Sequence, residues 1–142
     1  MDDFINVIQE SLNQGKEVAF TPSGHSMEPT IMDHQDIVYL SSPIQLKKYD
    51  ICLYYDRGRY VLHRIVRINK NQTYTMCGDH NVALEENIDA FQIIAKVSRY
   101  IHQKKEITIQ QKRFYLIGFF VYHTRIVRKI KRRIFKHGST HR

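Results

Sequence analysis

Only two cysteines occur in the 142 residues, Cys52 and Cys77, and each lies in or beside an apolar run. That placement suits two buried thiols in a reduced compartment. No cluster of Cys and His at structural-zinc spacing accompanies them, so neither a metal site nor a cofactor is expected. No stretch of about 18 apolar residues occurs, so no ordinary transmembrane helix is expected. The nearest approach, FYLIGFFVY at Phe114 to Tyr122, is about half that length. The N-terminus, MDDFINVIQESL, lacks the basic start and apolar stretch of a signal peptide. There are no internal repeats and no low-complexity linker.

Acidic residues are missing from one region. From Arg125 onward the basic residues number eight, ending with Lys136 and Arg142, and there is no acid. The whole chain has 22 basic and 14 acidic residues, so the first 124 positions are balanced and the C-terminal end carries the net charge of +8. A basic tail seeks phosphate, on lipid headgroups or on nucleic acid.

The length suits one domain with one real core. Hydrophobic residues make up 42%, and Tyr and Phe together number 16, which favours a β-rich body. Asp3 to Asn13 reads as a helix with Phe4, Val7, Ile8 and Leu12 on one face and Gly15 as its stop. Strands are expected at Glu17–Phe20, Asp36–Leu40, Asp50–Tyr55, Arg59–Ile68, Thr73–Met76, Gln92–Ile101 and Glu106–Gln110. Ala83 to Ala90 reads as polar loop. From about Gln111 to Lys136 there are few breakers, which predicts one or two helices. The fold class is therefore mainly β, of the α+β type, with a helix at each end. A domain of residues 1–110 is followed by an amphipathic basic tail of residues 111–142.

Three segments carry chemistry. SGHSMEPT, Ser23 to Thr30, places Ser26 in a turn bounded by Gly24 and Pro29. A nucleophilic serine needs a bent backbone with free N–H groups nearby to hold an oxyanion. YVLHRIV places His63 on an expected strand 37 positions later, alternating with Val61 and Ile65. Alone, a histidine in an apolar strand is more often a core residue, and a turn serine is often only that. Beside a serine, however, histidine is the general base that works near neutral pH. No lysine lies between Arg59 and Ile68 to take that role. An acid is wanted to orient the imidazole. CGDHN offers Asp79, 16 positions after His63, and Glu85 follows six residues later. Between these two the residues do not choose.

These segments, in this order, resemble the type I signal peptidases and their relatives, the LexA-type self-cleaving repressors, over roughly residues 18–97. The resemblance implies coiled antiparallel sheets and a serine endopeptidase cutting signal or leader peptides after small residues. The HRI triplet resembles the endoplasmic-reticulum and archaeal branch, in which histidine replaces lysine. On that likeness Ser26 is the nucleophile and His63 the base. Asp79 matches the acid of the branch's Gly-Asp turn, and Glu85 falls where the branch has a further Asp. Gly24, His25 and Met27, beside the nucleophile, are the expected substrate contacts. The Ser26 N–H is the expected oxyanion donor. Where the family has Gly-Asp pairs, this chain has Gln35-Asp36 and Tyr49-Asp50, so those turns must tolerate a side chain. The roughly 20 residues before the motif are too few for a DNA-binding domain, and they lack the family's membrane anchor.

The tail is expected to stand in for that anchor. Ile126, Ile130 and Ile134 recur every four residues among basic side chains, with Val127 and Phe135 beside them. This pattern suits an interfacial helix over residues 114–136 on an anionic membrane, or else a solvated basic helix packed on the domain, with no nucleic acid expected as partner. The expected partner is a peptide or preprotein substrate, and the expected location is the cytoplasm or the periphery of a membrane. The other reading is a catalytically silent β domain that binds anionic membrane or nucleic acid through its tail. Cleavage of a soluble peptide is expected to survive deletion of the chain after about Arg125, whereas a binding module would lose its only activity.

Overall fold

The computed structural model describes residues 2–138. The expected class holds: eight antiparallel strands form one sheet, with a helix at each end of the described chain. The elements are α1 (Asp2–Asn13), β1 (Val18–Phe20), β2 (Ile37–Ser41), β3 (Ile51–Asp56), β4 (Arg59–Ile68), β5 (Tyr74–Cys77), β6 (Glu85–Ile88), a short 3-10 turn (Ala90–Gln92), β7 (Ile93–His102), β8 (Lys105–Thr108) and α2 (Lys112–Gly138). The strand order is β1-β2-β7-β3-β4-β5-β6, with β8 also on β7. Two of the hairpins turn on residue pairs with positive φ, Arg57-Gly58 between β3 and β4 and Gln103-Lys104 between β7 and β8. Positive φ at both central residues matches the twist of the flanking strands.

Alternation along the central strands divides the core between two faces. On one face Ile51, Leu53, Ala95 and Val97 pack with Ile5, Ile8 and Leu12 of α1 and Phe114 of α2. On the other, Cys52, Tyr54, Ile65, Met76, Ile88 and Ile93 form a smaller cluster. His63 shares this second face with Val61 and Ile65, and it sits directly opposite Cys52 on β3.

Three expectations need correction. The buried stripe of α1 is Ile5, Ile8 and Leu12, while Phe4 and Val7 are 49% and 59% exposed. The Phe4 ring instead meets Phe20 of β1 edge-on at 6.4 Å. Residues 85–88, expected as loop, form β6, which pairs with β5 at Tyr74↔Ile88 and Met76↔Glu85 around an irregularity. Only Ile88 of β6 is buried, so the strand offers almost no hydrophobic alternation to read. The 111–142 segment is not wholly separate from the body, because Phe114 is 1% exposed and belongs to the main core. The last four residues of that segment lie outside the described residues. No helix among the described residues is long and apolar enough to cross a membrane.

Candidate active site

Ser26 sits in a turn that the core holds from its C-terminal side. Met27 and Ile31 are buried in the main cluster, and the Ile31 N–H donates to the Met27 carbonyl at 3.0 Å. On the other side Gly24, at φ 102°, gives its N–H to Asp33 Oδ1 at 2.7 Å. A side chain at that φ would be strained, which accounts for glycine there. Ser26 itself is half-buried.

His63 is fixed by β4, at 3% exposure. Its Nδ1 lies 3.2 Å from Glu85 Oε2 and 3.2 Å from the Tyr54 hydroxyl. A carboxylate at Nδ1 selects the tautomer with its proton there, leaving Nε2 to accept. Nε2 lies beside Gly78, which also meets the serine turn. A methyl group placed on Gly78 would sit 3.0 Å from His63 Nε2 and 2.5 Å from the Ser26 carbonyl oxygen. Only a residue without Cβ allows that approach. Burial, then the Glu85 and Asp56 charges, raises the Tyr54 phenol far above its ordinary range and keeps it protonated.

Asp79 lies elsewhere. Its two oxygens accept from Arg64 Nε and Nη2, each at 2.8 Å, and Thr30 also donates to it. Arg64 is 1% exposed and Asp79 2%, so this is a buried, two-pronged ion pair. Arg64 Nη1 donates to the Tyr49 carbonyl at 2.9 Å, and its guanidinium lies 5.7 Å from the Phe114 ring. Tyr49 holds φ at 77°. Its N–H donates to Ile65 O at 2.7 Å.

The loop between β5 and β6 joins these parts. His80 N–H donates to the Ser26 carbonyl at 2.9 Å, and Asn81 N–H donates to Gly78 O at 2.9 Å. From α2, Arg125 Nη1 donates to Val82 O at 2.8 Å and Arg128 Nη2 to Asn81 O at 3.3 Å.

A cleft of about 220 Å³ opens between the serine turn and β4. Of the expected site residues, Ser26, His63, Glu85, Gly24 and Met27 border it. Two do not. Asp79 is held by Arg64, and the exposed His25 ring bonds Glu28 Oε1 at 2.8 Å. Arg59 to His63, five consecutive residues of β4, all line the cleft. Successive side chains point to opposite faces, so it is the edge of this strand that faces the cavity. β5 joins β4 only from Arg64 onward, so among the described residues no strand pairs with Val61 to His63 on that side.

Tyr54, Asn81 and Arg64 were not anticipated. Tyr54 reaches His63 because β3 pairs with β4 in a fixed register. The one available signal for Arg64 was a cation on the strand face shared with Leu62 and Val66. Among the described residues no group of three or more His, Cys, Asp and Glu side chains is arranged to hold a metal ion. No family model, curated protein or solved structure matches the chain, so the reading of the cleft rests on its own geometry.

Proposed function

We propose that the chain is a serine endopeptidase of the signal peptidase type, with Ser26 as nucleophile, His63 as general base and Glu85 as the carboxylate that orients it. Its sheet would then be the coiled antiparallel arrangement of that family. The observation that carries the reading is convergence: Ser26, His63 and Glu85 border one cleft, with Glu85 on Nδ1 and Nε2 beside the glycine that meets the serine turn.

In this reading an extended peptide lies along the edge at Val61–His63 and adds a strand to β4. The Ser26 hydroxyl attacks the scissile carbonyl carbon as its proton passes to His63 Nε2. The Ser26 N–H holds the oxyanion, and Glu85 stabilises the imidazolium. Collapse of the tetrahedral species breaks the C–N bond, and His63 returns the proton to the leaving amine. Water then attacks the acyl-serine with His63 as base, freeing the new carboxylate. The small cleft, walled by Met27 and Ile31, supports a small residue such as alanine before the cut. Substrates would be signal or leader peptides.

The test is cleavage of a leader-peptide library by wild type, Ser26→Ala and His63→Ala. Cleavage by wild type and background rates in both variants, with unchanged circular dichroism, are expected. A wild type that cuts nothing, or variants that cut equally well, would leave the silent β domain as the better reading.

A further inference from the structure

The outward face of α2 has no part in that chemistry. Leu116, Phe119, Phe120, Val127, Ile130 and Ile134 are between 46% and 65% exposed. At about 100° per residue they fall on one side of the helix, opposite Phe114, Gly118 and Arg125, which face the body. Charge says what covers the stripe. Arg128, Lys129, Lys131, Arg132, Arg133 and Lys136 crowd the C-terminal half, and the helix contains no acid. Lys131 and Arg133 flank the stripe, and two copies packed stripe to stripe would bring two strongly basic helices side by side. Nucleic acid would answer the charge but leave the stripe in water. An anionic bilayer answers both.

The inward face reaches the cleft. Arg125 and Arg128 hold the carbonyls of Val82 and Asn81, in the loop that runs from Gly78 to Glu85. Among the described residues the Nε–H of each arginine is buried without a hydrogen-bond partner. Every described side chain from Lys129 to Lys136 is exposed, so the distal helix has little packing to keep it wound.

We propose that the outward stripe of α2 docks on an anionic lipid bilayer, and that docking orders α2 so that Arg125 and Arg128 fix the 78–85 loop and switch the cleft on. The switch rests on the peptidase reading, whereas docking and loop ordering do not. One consequence revises the truncation expected above to be silent: cutting after Arg125 removes Arg128 and loosens Asn81, so cleavage falls even on a soluble peptide.

The full chain is mixed with vesicles of phosphatidylcholine, alone or with about one-third phosphatidylglycerol. Co-sedimentation, hydrogen exchange of residues 78–85 and cleavage of a soluble peptide are then followed. With three basic residues at the headgroups, anionic vesicles are preferred about 100-fold. Loop exchange slows and cleavage rises, each by about tenfold. Ile130→Glu with Ile134→Glu, at exposed positions, abolishes binding. Arg125→Gln binds within about fivefold of wild type, having lost one charge, but its loop gains no protection. Ser26→Ala still binds and still gains protection, so failure of the peptidase reading leaves these two readouts intact. Equal binding to neutral and anionic vesicles overturns the docking. So does self-association through the stripe without vesicle binding. Binding with unchanged loop exchange overturns the coupling.

Discussion

Asp79→Asn and Glu85→Gln each exchange one carboxylate for an amide, yet the structure predicts opposite consequences. Asp79 is 2% exposed and Arg64 1%, and two 2.8 Å hydrogen bonds join them. Removing one partner of such a pair strands a buried charge and costs about 3–5 kcal/mol. A domain of this size has a total stability of about 5–15 kcal/mol. With a urea slope of about 2 kcal/mol/M, the unfolding midpoint falls by about 2 M. Glu85 is 20% exposed and meets His63 through a 3.2 Å contact. Its loss costs less than about 1 kcal/mol of stability. It does leave the imidazole free to turn and to carry its proton on the wrong nitrogen, which lowers kcat by about 100-fold or more. Urea unfolding followed by circular dichroism, with kcat measured on a soluble peptide, separates the two. The reasoning is refuted if Asp79→Asn keeps its midpoint within about 0.5 M of wild type while losing as much kcat as Glu85→Gln.

Gly78→Ala places a methyl 2.5 Å from Ser26 O and 3.0 Å from His63 Nε2, so the serine turn must move away and kcat/KM is expected to drop about 100-fold; unchanged activity would show the two segments are not held as described. Gly118→Ala puts its methyl 2.8 Å from both Arg64 Nη1 and Tyr49 Cβ. Lifting α2 off these groups costs about 1–3 kcal/mol, more than the helix propensity gained, and urea unfolding reads the net loss. His25 is predicted to titrate above its ordinary 6.5, because it bonds Glu28 and feels the Glu28 and Asp33 charges. Glu28 is lowered by that bond, and Asp33 chiefly by the Gly24 N–H. The histidine's contribution is complete below 6.5 and fades as pH rises through its raised value. Those of Glu28 and Asp33 are complete above 4.5 and 3.8 and fade as pH falls. The serine turn is therefore best held between about pH 5 and 6.5. An NMR titration of His25 in wild type and Glu28→Gln checks this, and identical curves would count against it.

How much of this was legible depended on how local each cause was. β4 occupies the expected Arg59–Ile68, because an apolar run and a Gly-containing turn are both readable within the segment. The turn at Ser26 was readable as a turn, and the strand of His63 as a strand, for the same reason. The choice between Asp79 and Glu85 was not, because each is an acid shortly after the same glycine. Strand pairing sets the two apart: β5 places Glu85 opposite Met76, on the face that carries His63. Asp79 is drawn the other way, toward Arg64, whose burial is a tertiary fact. The rotation of α1 escaped reading because Phe4 and Val7 are as apolar as Ile5, and only the shape of the sheet beneath distinguishes them. Tyr54 was invisible because its role needs the β3–β4 register and the position of Glu85 together.

The bare edge at Val61–His63 has a cost whatever the cleft does. A strand with no neighbour is a template for any extended chain, including the partly unfolded copies present at high concentration. What guards it here is crowding together with flanking charge. The serine turn overhangs the cleft, and Arg59 and Glu85 stand among its walls. A variant that loosens the turn would then reach beyond the cleft. It would uncover a sticky seam, and loss of solubility on storage would be its first visible sign.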